Sequence, residues 1–132
     1  MALALDVFEH VENYFDFLRK LRPRARYCVF HIPLDLSAQA VVRGLLSRWR
    51  QDVGHLHYFT RELALDALKE TGYRVIDTRY TAYAIDRTAP TLKAHLARWP
   101  RRLAFQIAPD QAALWLGGFC LLVLAEAETD TP

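Results

Sequence analysis

A chain of 132 residues has room for one domain and one sizeable core. Its 52% hydrophobic and 24% charged residues are ordinary for a globular protein, and a formal charge of +2 is too small to point to a nucleic-acid partner. Two cysteines, Cys28 and Cys120, exclude a disulfide framework, and the longest apolar run (residues 112–125) is too short for a membrane span.

The chain opens on an apolar run, Ala2 to Leu5, that reads as a strand. It hands over at Asp6 to a helical pattern in which Val11, Tyr14, Phe15, Leu18 and Leu21 form one stripe. Glu9 and Glu12 fall in that helix's first turn and Arg19, Lys20 and Arg22 in its last, which suits the helix dipole; Pro23 ends it. Arg26 to Ile32 is rich in β-branched and aromatic residues and reads as a buried strand closed by Pro33. Ser37 caps the next helix, whose apolar stripe runs from Ala38 to Trp49 with Gly44 as a weak point. A polar loop over residues 50–58 carries His55, His57 and Tyr58. Thr60 then caps a helix through Leu68 that stops at Gly72.

From Tyr73 to about Ile85 the pattern turns to strand. Thr88 and Pro90 open a helix carrying Leu92, Leu96 and Trp99, and Pro100 breaks or kinks it. Helical pieces follow through Leu103 and Phe105, and from Pro109 to Leu116. Gly117 and Gly118 punctuate before a last strand, Phe119 to Leu124. The domain spans residues 1–125, and residues 126–132 read as a polar tail that frays. Strands alternating with helices predict a layered α/β sheet. No signal peptide opens the chain, so a cytoplasmic protein with two reduced, buried thiols is expected. Acid, acid and histidine gathered where the first strand ends are well placed for a site, because open α/β sheets bind ligands beyond the carboxyl ends of their strands.

The run Leu5-Asp6-Val7-Phe8-Glu9-His10-Val11, followed by Tyr14-Phe15 and Leu18-Arg19-Lys20-Leu21-Arg22-Pro23, resembles the middle of class I S-adenosylmethionine-dependent methyltransferases. Gly54 to Thr60, then Glu62-Leu63 and Gly72-Tyr73, looks like the loop and helix before that family's sixth strand. The glycine pair before Phe119 looks like the hairpin into its antiparallel seventh strand. The resemblance covers nearly the whole chain. It implies a partial Rossmann-like methyltransferase sheet, strands four to seven in spatial order 4-5-7-6 with the last strand antiparallel, flanked by helices. The family's glycine-rich loop after its first strand is missing, as is the acid that holds the cofactor's ribose. The chain is therefore expected to be the C-terminal half of such an enzyme, inactive alone. The alternative is a non-enzymatic interaction or oligomerisation module derived from that fold.

The resemblance places Asp6, Val7 and Glu9 against S-adenosylmethionine; the alternative for Asp6 is a helix cap. Some methyltransferases hold a divalent metal with an E-x-x-E-H run, and Asp6, Glu9 and His10 could do so here. His31, His55 or His57 would then add a ligand. Without a metal, Glu9 serves the helix dipole and His10 packs. His10, His55 and His57 are also the candidate catalytic groups, since an imidazole can take a proton from a hydroxyl or amine acceptor. Either loop histidine could instead anchor the loop, and His31 reads as structural. The acceptor is expected to be a small molecule. The first strand would leave a bare edge, so residues 2–6 are expected to pair with a second copy or with the missing N-terminal half.

Overall fold

The computed structural model describes residues 1–82 and 98–128. Four strands form one sheet: β1 (Ala2–Leu5), β2 (Tyr27–Pro33), β3 (Tyr73–Thr81) and β4 (Cys120–Ala127). Their spatial order is β1-β2-β4-β3. β1 runs parallel to β2, whereas β4 lies between β2 and β3 and is antiparallel to both. This is the order 4-5-7-6 with an antiparallel last strand.

The strand pairing follows from side-chain alternation. Cys28, Phe30 and Ile32 of β2 stand opposite Ala125, Val123 and Leu121 of β4, and all six are fully buried. A one-residue slip would move that whole apolar set to the other face. β3 carries a bulge between Val75 and Asp77 that leaves Ile76 outside the register and exposed.

Helix α1 (Tyr14–Leu21) is capped by Asn13, whose side chain accepts from the Asp16 N–H. Glu9 therefore does not lie in that helix's first turn. It sits in a separate 3-10 turn, Phe8–His10, and is buried. The single helix expected between Ser37 and Trp49 is two, α2 (Ala38–Val42) and α3 (Leu45–Asp52). Gly44 between them has φ +63°, which breaks the helical run. Thr60 caps α4 (Arg61–Glu70), and Gly72 follows its end at φ +83°. Pro100 lies within α5 (Arg98–Ile107) and does not end it among the described residues. α6 is Pro109–Leu116. The expected helix from Thr88 and the strand residues beyond Ala82 lie outside the described residues.

The core centres on aromatic rings. Phe8 packs edge-on against Phe30 and Phe59 and stacks on Tyr14, and Tyr73 meets Phe30 edge-on at 5.3 Å. The Tyr73 hydroxyl donates to the Leu18 carbonyl at 2.9 Å, tying β3 to α1. Leu18 and the Ala64, Ala67 and Leu68 face of α4 complete this layer. At the other end of β3, Tyr80, Phe105 and Phe119 form a second aromatic group.

The last strand runs past Leu124 to Ala127, into the stretch expected to fray. Glu126 stands opposite both Tyr27 and Arg74. It accepts from the Arg26 guanidinium at 2.9 Å and pairs with Arg74. Those two cations hold its carboxyl below the usual range. Residues 129–132 lie outside the described residues.

Gly117 closes the approach to β4 at φ +62°. A Cβ there would fall 2.5 Å from the Ser37 hydroxyl that caps α2. Gly117→Ala is expected to destabilise the fold by about 2–3 kcal/mol, through backbone strain and loss of the cap. Urea denaturation checks this; an unchanged midpoint would contradict it.

Candidate functional site

A cavity of about 470 Å³ opens beyond the carboxyl ends of β1 and β2. Each of those strands ends on an acid-bearing turn. β1 ends at Leu5, and Asp6 follows with φ +51°, the one positive φ outside glycine among the described residues. The Asp6 N–H bonds to the His31 carbonyl, continuing the β1–β2 ladder for one more step. β2 ends at Pro33, and Asp35 follows two residues later. Asp6, Glu9, His31, Asp35, Trp49 and His55 all line the cavity.

Two carboxylate–imidazole pairs are built into the wall. Asp6 receives His31 Nδ1 at 2.7 Å, and His31 Nε2 meets the Thr81 hydroxyl at 2.8 Å. Asp35 receives His55 Nδ1 at 2.6 Å. With Nδ1–H donating to a carboxylate, each ring keeps its acceptor lone pair on Nε2. In His31 Thr81 takes up that lone pair; in His55 Nε2 remains as the basic nitrogen. Burial raises the Asp35 carboxyl, and His55 opposes that shift.

Glu9 differs from both. Its side chain is 1% exposed, and neither carboxyl oxygen has a hydrogen-bond partner among the described residues. Burial pushes its pKa up to about 7, with Asp6 adding to the shift and His10 opposing it. The turn that carries Glu9 is fixed from both sides. Phe8 is locked in the aromatic core, and the Glu9 carbonyl accepts from the N–H groups of Leu56 and His57.

The sequence candidates thus separate. Asp6, Glu9 and His55 come together at the cavity. His10 stands beside it: its Nδ1–H donates to the Gly54 carbonyl at 3.1 Å, and its Nε2 lies 3.9 Å from Glu9. Val7 packs against the core and does not line the cavity. His57 is an anchor, its Nε2–H shared by the carbonyls of Val11 and Glu12, and it faces a separate hollow of about 380 Å³. The expected metal trio does not converge as named. His31 engages Asp6, and the residues whose ligand atoms lie within 4.8 Å of one another are Glu9, His10 and His55. His55 is thus the later histidine that reaches Glu9 and His10.

Sequence reasoning missed Asp35 and Trp49 and read His31 as structural. Asp35 was findable, since it stands at the end of β2 as Asp6 stands at the end of β1. Trp49 lies on α3, the helix that starts after the break at Gly44, and the sequence stripe counted it as an apolar face residue.

Cys28 and Cys120 lie on neighbouring strands but at opposite ends of the β2–β4 ladder, and both are free. Cys120 lines the cavity, and burial pushes its thiol up to about 12, with the Asp6 and Asp35 charges adding. It is expected to react with iodoacetamide at pH 8 at least about tenfold more slowly than a free thiol, and urea should restore the rate. Alkylation of the folded chain at the unfolded rate would contradict this.

No helix among the described residues is long and apolar enough to cross a membrane. No family model matches the sequence, and no curated protein does. Solved structures do match. The [4+2]-cyclase SpnF aligns over 97% of this chain and 49% of its own, at TM-score 0.56 and 12% identity. A candidate methyltransferase of Bacillus halodurans C-125 aligns over 96% of this chain and 63% of its own, at TM-score 0.55 and 13% identity. A SAM-dependent methyltransferase of Archaeoglobus fulgidus aligns over 94% and 57%, at TM-score 0.51 and 15% identity. The chain therefore spans less than two thirds of each of these structures. Such identities speak to architecture alone, and with the sheet order above they give this chain a class I methyltransferase-like α/β fold.

Proposed function

We propose that this chain is the acceptor-side half of an S-adenosylmethionine-dependent methyltransferase. The observation that carries the reading is the cavity's position, at the carboxyl ends of the parallel pair β1–β2, in a sheet of methyltransferase-like order. The chain does not fit the whole cofactor. All five glycines lie in turns or loops that follow neither β1 nor β2 (44, 54, 72, 117, 118), so no glycine-rich backbone cradles a ribose or adenine. Asp6 and Glu9 can meet only the end of the cofactor that faces the acceptor. The adenosine end belongs to strands that would continue the sheet past β1. S-adenosylmethionine supplies the methyl group when bound. This chain's part is to hold the acceptor and accept its proton. His55 is the base, oriented by Asp35, because its Nδ1 is committed and its Nε2 lone pair remains.

The partner belongs at β1. Among the described residues it is the edge strand of the sheet, and Leu3 and Leu5 on it are 62% and 51% exposed. An exposed apolar edge is a template for another strand, and the cofactor-binding half of the fold is the occupant that would also complete the site. Titration calorimetry with S-adenosylmethionine tests both points. The chain alone should give no heat, and the chain mixed with a cofactor-binding half should bind stoichiometrically. Stoichiometric binding by the isolated chain would overturn the half-site reading. A monodisperse monomer at tens of micromolar, unchanged by the added half, would count against the edge.

A further inference from the structure

The six polar and aromatic residues named above are joined in the cavity wall by Pro33, Val53, Gly118 and Cys120; among the described lining residues there is no lysine or arginine. Of the three carboxyls, Asp6 and Asp35 are each held by an imidazole. If both imidazoles are protonated, the two pairs are neutral, and if not they are negative. Glu9 adds a third carboxyl that is buried and without a hydrogen-bond partner among the described residues, His10 Nε2 standing 3.9 Å away. With the carboxyls ionised, the described lining residues therefore carry no net positive charge, and they offer an anionic ligand no counter-charge. A buried carboxyl without donors is costly, and the ligand group that satisfies it best brings N–H donors and positive charge together. The remaining wall is apolar. Trp49, Val53 and Pro33 offer a surface for a carbon skeleton, and an indole face itself attracts cations. A volume of about 470 Å³ suits a small organic molecule and far exceeds what one ion needs.

We propose that the ligand of this cavity is a small protonated amine, its ammonium group seated on the Glu9 carboxylate and its carbon skeleton against Trp49 and Val53. The inference names the acceptor class for the methyltransferase reading and rests on it for that word alone. The binding itself requires neither the cofactor nor the second half of the fold.

The test uses the purified chain and three probes that share one skeleton: cyclohexylamine, cyclohexanol and cyclohexanecarboxylate. Shorter primary amines, beginning with ethanolamine, complete the set. By titration calorimetry the amines should bind saturably at pH 7.5, with the alcohol weaker and the carboxylate unbound. Glu9→Gln should weaken the best amine by about tenfold or more, while Glu12→Gln, at an exposed position outside the cavity, leaves it unchanged. Circular dichroism confirms that both variants fold. Binding of the carboxylate as tightly as the amine, no saturable binding by any amine, or equal affinity in Glu9→Gln would each overturn the proposal. So would stoichiometric Mn²⁺ binding that displaces the amine and is lost in His10→Ala and His55→Ala, which would make Glu9 a metal ligand instead. Failure here leaves the methyltransferase reading with an acceptor of another class. Failure of cofactor binding to the completed fold leaves an amine-binding module, so the two readings fall separately.

Discussion

Replacing Glu9 with glutamine should make the chain more stable at pH 8 than at pH 4.5, relative to the wild type. The Glu9 carboxyl is buried, and its pKa is pushed from 4.5 to about 7. Between those values the folded chain holds a proton that the unfolded chain has released. Stability therefore falls as pH rises through this window, because raising the pH favours unfolding wherever the native state binds more protons than the unfolded one. Each pH unit is worth about 1.4 kcal/mol, so the wild type should lose up to about 3 kcal/mol that Glu9→Gln does not. Urea denaturation of both proteins from pH 4.5 to 8 measures the difference, and subtraction removes the titrating groups that do not act on Glu9. A difference that stays flat with pH would show that Glu9 ionises normally in the fold.

Truncating Phe8 should be the most damaging single change near the site. Its ring is fully buried and meets Tyr14, Phe30 and Phe59 at once. Phe8→Ala removes that ring from a packed core and is expected to cost about 3–5 kcal/mol. The consequence reaches function, because Phe8 and Glu9 share one 3-10 turn. Loosening Phe8 lets the turn move, and the Glu9 carboxyl is then no longer held at the cavity wall. The pH dependence described for Glu9 should therefore shrink in Phe8→Ala as well. Phe8→Leu, which keeps most of the volume, should cost less and retain it. A loss below about 1 kcal/mol for Phe8→Ala would mean that the neighbouring rings close over the gap.

How far these features were legible depended on whether their cause was local. The caps at Ser37 and Thr60 and the stop at Gly72 could be read directly, because capping involves residues three or four apart. The break at Gly44 was visible only as a weak point, since one glycine in a helix is tolerated or not according to what the following helix can pack against. The end of β4 was misplaced for a related reason. Glu126 reads as a tail residue alone, and it is a strand residue because Tyr27 of β2 and Arg74 of β3 pair with it on either side.

The sequence by itself determined the element types, the alternation that buries Cys28, Phe30 and Ile32 against Leu121, Val123 and Ala125, and the placing of Asp6 and Glu9 at a strand's end. Those follow from periodicities of two and of about 3.6 residues, which are properties of neighbouring positions in the chain. Only the tertiary structure decided which polar groups meet. His31 chose Asp6, His55 chose Asp35, and His57 turned to the carbonyls of Val11 and Glu12. It also left the Glu9 carboxyl buried with no hydrogen-bond partner among the described residues. Contacts between residues twenty to fifty positions apart are set by how sheet and helices pack, and no spacing along the chain encodes them.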